Sequence, residues 1–264
     1  MSHAQVKSRV FLQWAGLLLC VAAYEIVSIL IDKPAFPDVT RILRGLISFI
    51  GDRKFVWPSF GYTVARWFIA WILCGMTAVV LGAILGYFAD AYRLASGVLD
   101  FLRSLPATLL ATFSTAAFGI GEISMLFPTA YVVFFTVIFY VAKHGQFVDK
   151  TRIQHLRRLH APFRFILTHA ILPDYASGIM TALQQSLSLS FLIQVSSELI
   201  LGSAGNRGIG NVLYDFKDYS HFDALLASIL ILGIVGYAAN IAFRVLQERL
   251  FPWLELPLQP IRSQ

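Results

Sequence analysis

The sequence predicts an all-α, polytopic membrane protein with six transmembrane helices. Its 264 residues are 57% hydrophobic and only 14% charged, whereas soluble domains carry about 25% charged residues. Six apolar stretches approach the roughly 20 residues that a spanning helix needs. These runs show no alternation with a period of two, which excludes a membrane β-barrel, so helices are left to satisfy the backbone in lipid.

The predicted spans cover most of the chain. The first is interpreted as a retained helix, because Asp32, Lys33 and Pro34 follow it instead of a cleavage site of small residues. Turn-forming residues predict loops, with some interfacial helix, over 32–66, and residues 202–221 are too polar to span. The six spans are 11–31, 67–89, 101–118, 123–142, 175–197 and 224–243.

The charge distribution predicts the orientation. An even number of spans places both termini on one side, which would hold thirteen Lys and Arg residues against eight on the other. Arg66 and Arg207 count with the smaller set. The positive-inside rule therefore predicts that both termini are cytoplasmic. Six of the thirteen lie between spans four and five: Lys143, Lys150, Arg152, Arg157, Arg158 and Arg164.

Motifs for common enzymatic chemistry are absent from the sequence. It contains no GxxxxGK[ST] phosphate loop, no HExxH and no GxSxG. Three loop histidines, at 155, 160 and 169, do not share a helical face, so we expect neither a metal nor a cofactor. Orientation in the membrane explains the net charge of +6 better than a nucleic-acid partner does. The remaining classes are a transporter, a channel, a structural subunit, or an intramembrane enzyme without a known motif.

The fifth span carries an unusual series of polar residues. Ser186, Ser190, Gln194 and Glu198 follow one another every four residues and so form a stripe on one helical face. We favour the interpretation that this stripe lines a solute pathway. The alternative is hydrogen bonding between helices, which is common for Ser and Gln in membranes. Elsewhere, Glu25 is expected to have a structural partner, and Gly82 with Gly86 to mark close helix packing.

Several short motifs, in a fixed order over residues 10–253, resemble one known family. They are Arg103 with Pro106, FGIGE at 118–122, Ala-Ile-Leu-Pro ending at Pro173, Glu198 with GIG at 208–210, Phe222 with Asp223, and Arg244, Glu248, Arg249 and Trp253. In this order and spacing, the chain resembles the transmembrane permease subunit of an ABC importer. More narrowly, it resembles the branch that takes up nitrate, sulfonates, taurine and related small solutes.

The resemblance implies a fold and a set of partners. The fold would be that of a type I ABC importer permease, a single domain over 1–264 with its core at about 60–250. The chain itself would not be an enzyme, because a separate cytosolic ATPase would hydrolyse ATP. A second permease chain, identical or different, would complete the pathway through the lipid. An extracytoplasmic solute-binding protein would deliver the solute.

The resemblance also implies that a cytoplasmic loop, about 150–170 here, couples the permease to the ATPase. Leu156, Leu159 and Phe163 would form one apolar stripe on this loop if it is helical. The expected coupling residues are Arg157, Arg158, Leu159, His160, Ala161, Pro162 and Phe163.

This loop departs from the family pattern. The EAA positions are Gln154, His155 and Leu156, and His160 replaces the glycine of the turn. Ala161-Pro162 supplies its own helix break, so a helix–turn–helix could persist. The departure also fits pairing with a different permease chain, or weakened coupling. The alternative functions are an ion-coupled carrier and a non-transporting or heterodimer-partner subunit.

Overall fold

The computed structural model describes residues 3–31, 33–51, 56–201 and 207–252, and every regular element within these ranges is helical. A π-helical turn, Leu167–Ile171, precedes the ninth α-helix. The helices are α1 (His3–Ile31), α2 (Val39–Gly51), α3 (Val56–Tyr87), α4 (Ala89–Arg103), α5 (Ala107–Phe118), α6 (Glu122–Gly145), α7 (Lys150–Arg158), α8 (Phe163–Ile166), α9 (Leu172–Leu201), α10 (Ile209–Asp218) and α11 (Phe222–Leu250).

Three of the described helices, α3, α6 and α11, are long and apolar enough to cross a membrane. The bent pair of α4 and α5 would add a fourth if it forms one span. The predicted all-α membrane class is therefore confirmed, whereas the count of six spans stays a prediction. The polar stretch after the fifth span contains a helix, α10, of 10 residues.

The predicted third span, 101–118, is not one straight helix. The chain forms α4 and α5 instead, and the two helices meet at an angle of 83°. The break falls at Pro106, the N-cap residue of α5, which has an extended backbone with ψ of 107°. Proline cannot donate an amide hydrogen to the preceding turn and crowds it, which favours a break between the end of α4 at Arg103 and α5.

The core of the bundle is the packing of α6 against α3 and α9. Gly82 and Gly86 allow the backbones of α3 and α6 to touch, because a Cβ added at Gly86 would lie 2.8 Å from the carbonyl oxygen of Ala142. Gly145 at the end of α6 meets Gly86 in turn, as its own added Cβ would lie 2.8 Å from the Gly86 Cα. The close helix packing predicted for Gly82 and Gly86 is confirmed.

Glu25 in α1 holds the segment that follows this helix, and so has the structural partner that was predicted for it. The carboxylate accepts a hydrogen bond from the backbone N–H of Val39, at 2.9 Å, and so satisfies a free donor at the start of α2. Helix α2 then packs on the start of α11, where Gly45 faces the backbone of Asp223. Glu25 therefore joins α1 to the rest of the described chain.

Candidate functional site

The polar stripe of α9 is buried inside the chain and paired with neighbouring helices. Ser186, Ser190, Gln194 and Glu198 are all 0% exposed. The indole N–H groups of Trp71 and Trp67 donate to the hydroxyls of Ser186 and Ser190, at 3.0 and 2.8 Å. The Thr129 hydroxyl of α6 donates to the Gln194 side-chain oxygen, at 2.9 Å. The structure therefore places the stripe between α9 and its neighbours α3 and α6.

These contacts have the form of hydrogen bonding between helices, the alternative that the sequence left open. Each side chain of the stripe has a partner within the chain, as polar groups in lipid require. A pathway role for the four residues stays a prediction. In the conformation described, no solute could reach any of them.

The stripe ends in a carboxylate whose hydrogen-bonding capacity is filled. Glu198 Oε1 accepts from the guanidinium of Arg66, at 3.1 Å, and from the side-chain amide of Gln194, at 3.0 Å. Oε2 accepts from the Thr63 hydroxyl, at 2.6 Å, and from the backbone N–H of Gly210, at 3.1 Å. A carboxylate offers about four acceptor sites, so this buried charge is compensated by four donors.

Arg66 extends the network to a second carboxylate. Its Nε and Nη2 donate to the two oxygens of Glu122, each at 2.6 Å, in a bidentate pair. Nη1 also donates to the carbonyl of Arg207, at 2.7 Å. We call the set Thr63, Arg66, Glu122, Gln194, Glu198 and Gly210 the Glu198 clasp, and the end of the bundle that holds it the clasp end.

The clasp explains why the sequence has Gly-Ile-Gly after the fifth span. A Cβ added at Gly208 would lie 2.5 Å from the Glu198 carboxyl carbon, and one at Gly210 would lie 2.5 Å from the Glu198 Cβ. Only glycine lets the start of α10 approach the carboxylate so closely. The next amide, that of Ile209, donates to the Thr63 hydroxyl at 2.8 Å. The first turn of α10 is therefore satisfied by clasp residues.

Sequence reasoning missed Arg66, which it assigned to a loop. The structure places Arg66 within α3, where it is 6% exposed. A usable signal was present, because Arg66 is the one Lys or Arg between Lys54 and Arg93. Glu198, the acid of the second motif, is buried and so needed a cation.

At the opposite end of the bundle, α7 and α8 form a helix–turn–helix. Asp149 caps α7 by accepting from the backbone N–H groups of Thr151 and Arg152, at 2.9 and 3.1 Å. The turn closes with two bonds, from Ala161 N–H to the Leu156 carbonyl and from His160 N–H to the Arg157 carbonyl, both at 3.0 Å. This pattern is a Schellman motif with His160 in the left-handed position, at φ of 56°.

The departure from the glycine turn therefore leaves the turn itself in place. Histidine at φ of 56° carries a steric cost that glycine would not. The condition set for one stripe through Leu156, Leu159 and Phe163, a single helix, is not met, because α7 ends at Arg158 and α8 begins only at Phe163.

The predicted coupling residues separate into inner and outer sets. Ala161 packs against the core of the bundle together with Leu156. Leu159 at the tip is 77% exposed. Arg157 donates to the hydroxyl of Tyr87 at 3.3 Å. Arg158, His160 and Pro162 are exposed, and the side chain of Phe163, like all of Trp253, lies outside the described part of the chain.

Comparisons with known proteins find relatives that match most of the chain. No protein-family model matches it. It is 24% identical over 243 residues to a putative ABC transporter permease of Methanocaldococcus jannaschii, covering 90% of each chain. It is 23% identical over 241 residues to the taurine transport system permease of Escherichia coli, covering 89% of this chain and 86% of that one. A nitrate import permease of Leptolyngbya laminosa is 21% identical over 203 residues, or 76% of this chain and 71% of that one.

Among solved structures, the inward-facing MetNI methionine ABC transporter shares the fold. The TM-score is 0.56 at 19% identity, over 70% of this chain and 90% of that chain. The apolar helices support a multi-pass membrane protein, and over most of its length the chain is similar to permeases of ABC transporters. Its relatives include permeases named for taurine, aliphatic sulfonates and nitrate, the branch that its motifs resemble.

We predict that the clasp dominates local stability. Arg66→Met leaves the buried Glu198 carboxylate without its cation, and the loss of one partner of a buried pair costs about 3–5 kcal/mol. The apparent Tm in detergent should therefore fall by about 10 °C. Arg41→Met is the matched control, because Arg41 is 65% exposed in its pair with Asp38. Equal Tm values for the two variants would show that the clasp contributes nothing to the stability of the protein.

We also predict opposite effects for one substitution at two nearby positions. His160→Gly removes left-handed strain worth about 1 kcal/mol, so amide exchange over residues 155–161 should slow about fivefold. His155→Gly, inside α7, should accelerate it by a similar factor, because glycine weakens a helix interior by about 1 kcal/mol. Hydrogen–deuterium exchange measures both, and faster exchange in His160→Gly would refute the strained turn.

Proposed function

We propose that the chain is the transmembrane subunit of an ATP-driven ABC importer. The solute would be a small molecule of the nitrate, sulfonate or taurine class, mostly anionic. The observation that carries the proposal is the helix–turn–helix of α7 and α8, which presents an exposed Leu159 among basic side chains at one end of the bundle. The basic side chains around this tip fit a partner surface of complementary charge. Relatives named as taurine, sulfonate and nitrate permeases support the same reading.

The partners follow from this role. A cytosolic ABC ATPase would receive the Leu159 tip and the neighbouring arginines, Arg157 and Arg158. A second permease chain would complete the pathway within the lipid, and a solute-binding protein would dock at the clasp end. At the clasp end, Tyr219, the residue that follows α10, is 72% exposed and so lies on the surface that this protein would contact. The whole chain, 1–264, would act as one permease domain with its core at about 60–250.

The buried stripe enters this mechanism through a rearrangement. Ser186, Ser190, Gln194 and Glu198 would contact a solute only in a state in which α3 or α6 moves away from α9. Movement driven by the ATPase would open such a state and would break the hydrogen bonds that join the stripe to α3 and α6. Replacement of Ser190 or Gln194 by Leu would then impair transport as well as packing.

Docking through Leu159 can be tested directly. Leu159→Asp should reduce the ABC ATPase recovered with the permease from native membranes by about tenfold or more, because burial of a leucine side chain is worth about 1.5–3 kcal/mol. Tyr219→Asp alters an exposed side chain at the clasp end and should leave recovery unchanged. Quantitative mass spectrometry measures ATPase per permease. If no ABC ATPase accompanies the wild-type chain, the proposed function is wrong.

The proposed orientation places the helix–turn–helix in the cytoplasm and the clasp end outside. In a variant without Cys20 and Cys74, single cysteines at the exposed positions 155 and 219 should react with an impermeant maleimide from opposite sides. The residue at 219 should label in intact cells, and the residue at 155 only after permeabilisation. Labelling of both in intact cells would contradict the orientation.

A further inference from the structure

The helix–turn–helix is tied to α9 by one side chain that the motifs do not include. Arg152 lies in the first turn of α7, and its Nη2 is 2.8 Å from the carbonyl oxygen of Ala170. The same nitrogen lies 3.4 Å from the carbonyl oxygen of His169 and 3.1 Å from a carboxylate oxygen of Asp174. One guanidinium therefore bridges α7, the π-helical turn and the start of α9.

The backbone at this point departs from a regular α-helix. Pro173 has no amide hydrogen and so cannot donate to the carbonyl of His169, four residues earlier. The turn Leu167–Ile171 is π-helical, and such turns displace carbonyls from the regular ladder and are frequent at functional sites. Arg152 places a charged donor against this irregular turn.

The rest of α7 is seated firmly on the bundle. Ile153 is 8% exposed and packs in one cluster with Ile166, Ala170 and Tyr175. Two contacts of different kinds, apolar packing and the Arg152 bridge, therefore fix α7 to the first turns of α9. A displacement of the Leu159 tip would move α7 as a unit and pull on the π-helical turn, the one irregular point between α8 and α9.

We infer that Arg152 is the positioning residue that transmits movement of the helix–turn–helix to α9, with the π-helical turn as the hinge. This inference rests on the proposed function, because the movement at the tip would come from the ATPase. Helix α9 carries the buried stripe and ends at Glu198 in the clasp. Through Arg152, docking at one end of the bundle is linked to the hydrogen bonds that close its centre.

The test separates docking from transmission. Spin labels at positions 76 on α3 and 185 on α9, both exposed, report the distance between these helices in the complex with its ATPase. ATP with vanadate, which traps the ATPase in its closed state, should shift this distance in the wild type. In Arg152→Gln the shifted fraction should fall about tenfold, the factor expected for losing a charge-assisted hydrogen bond. Recovery of the ATPase should stay at the wild-type level.

Two further variants complete the design. Arg93→Gln removes a charge from α4, where the Arg93 side chain is 78% exposed. In this variant the distance between the spin labels should shift as it does in the wild type. Asp174→Asn weakens one of the three Arg152 contacts without altering α7 and should give an intermediate loss. A full shift in Arg152→Gln with ATPase bound would overturn the inference. So would loss of ATPase binding in that variant, because Arg152 would then support the docking surface itself.

A measurement on the permease alone distinguishes this inference from the proposed function. Without any ATPase, Arg152→Gln should accelerate amide hydrogen exchange over residues 166–175 by about tenfold, because the hinge loses its external donor. Unchanged exchange would overturn the inference even if an ATPase binds. Absence of an ATPase from the wild-type complex would contradict the proposed function and leave the exchange result to decide the role of Arg152.

Discussion

The arrangement of the helices depends on the burial of one carboxylate. Glu198 is 0% exposed, and a buried charge is tolerated only when it is paired and fully hydrogen-bonded. Its donors come from α3, α9 itself and the first turn of α10, and Arg66 adds Glu122 at the start of α6. Satisfying this charge fixes how four helices meet at one end of the bundle.

From the clasp, constraints run along α9 to the other end. The polar stripe keeps α9 in register with α3 and α6, and the glycines of α3 let α6 approach to backbone contact. At the start of α9, the π-helical turn and Pro173 interrupt the regular ladder of hydrogen bonds, and Arg152 of α7 donates to the carbonyl of Ala170 there. Helix α9 is therefore held at both ends by guanidinium groups from other helices, and it is the element best placed to link an inner partner to an outer one.

The sequence predicted the helical membrane class, the family and the packing glycines, because apolar runs and small-residue spacing are local signals. It did not predict the break at Pro106 in the third span, since hydropathy counts apolar residues through a bend. It placed Arg66 in a loop, because pairing with Glu122 and Glu198 bridges residues 56 and 132 positions apart. The polar stripe was visible as a helical pattern, but the partners that bury it lie on α3 and α6, which periodicity does not reveal.

The most direct test of this account is a double-mutant cycle between Arg66 and Glu198. Arg66→Met and Glu198→Leu are compared singly and together by reversible unfolding in detergent. Arg66→Met leaves the buried Glu198 carboxylate without its cation, and Glu198→Leu leaves the buried Arg66 with Glu122 but without Glu198. The double variant removes both buried charges. The double variant should then lose less stability than the two single losses combined, with a coupling of about 2 kcal/mol or more. Additive losses would contradict the central place given to the clasp.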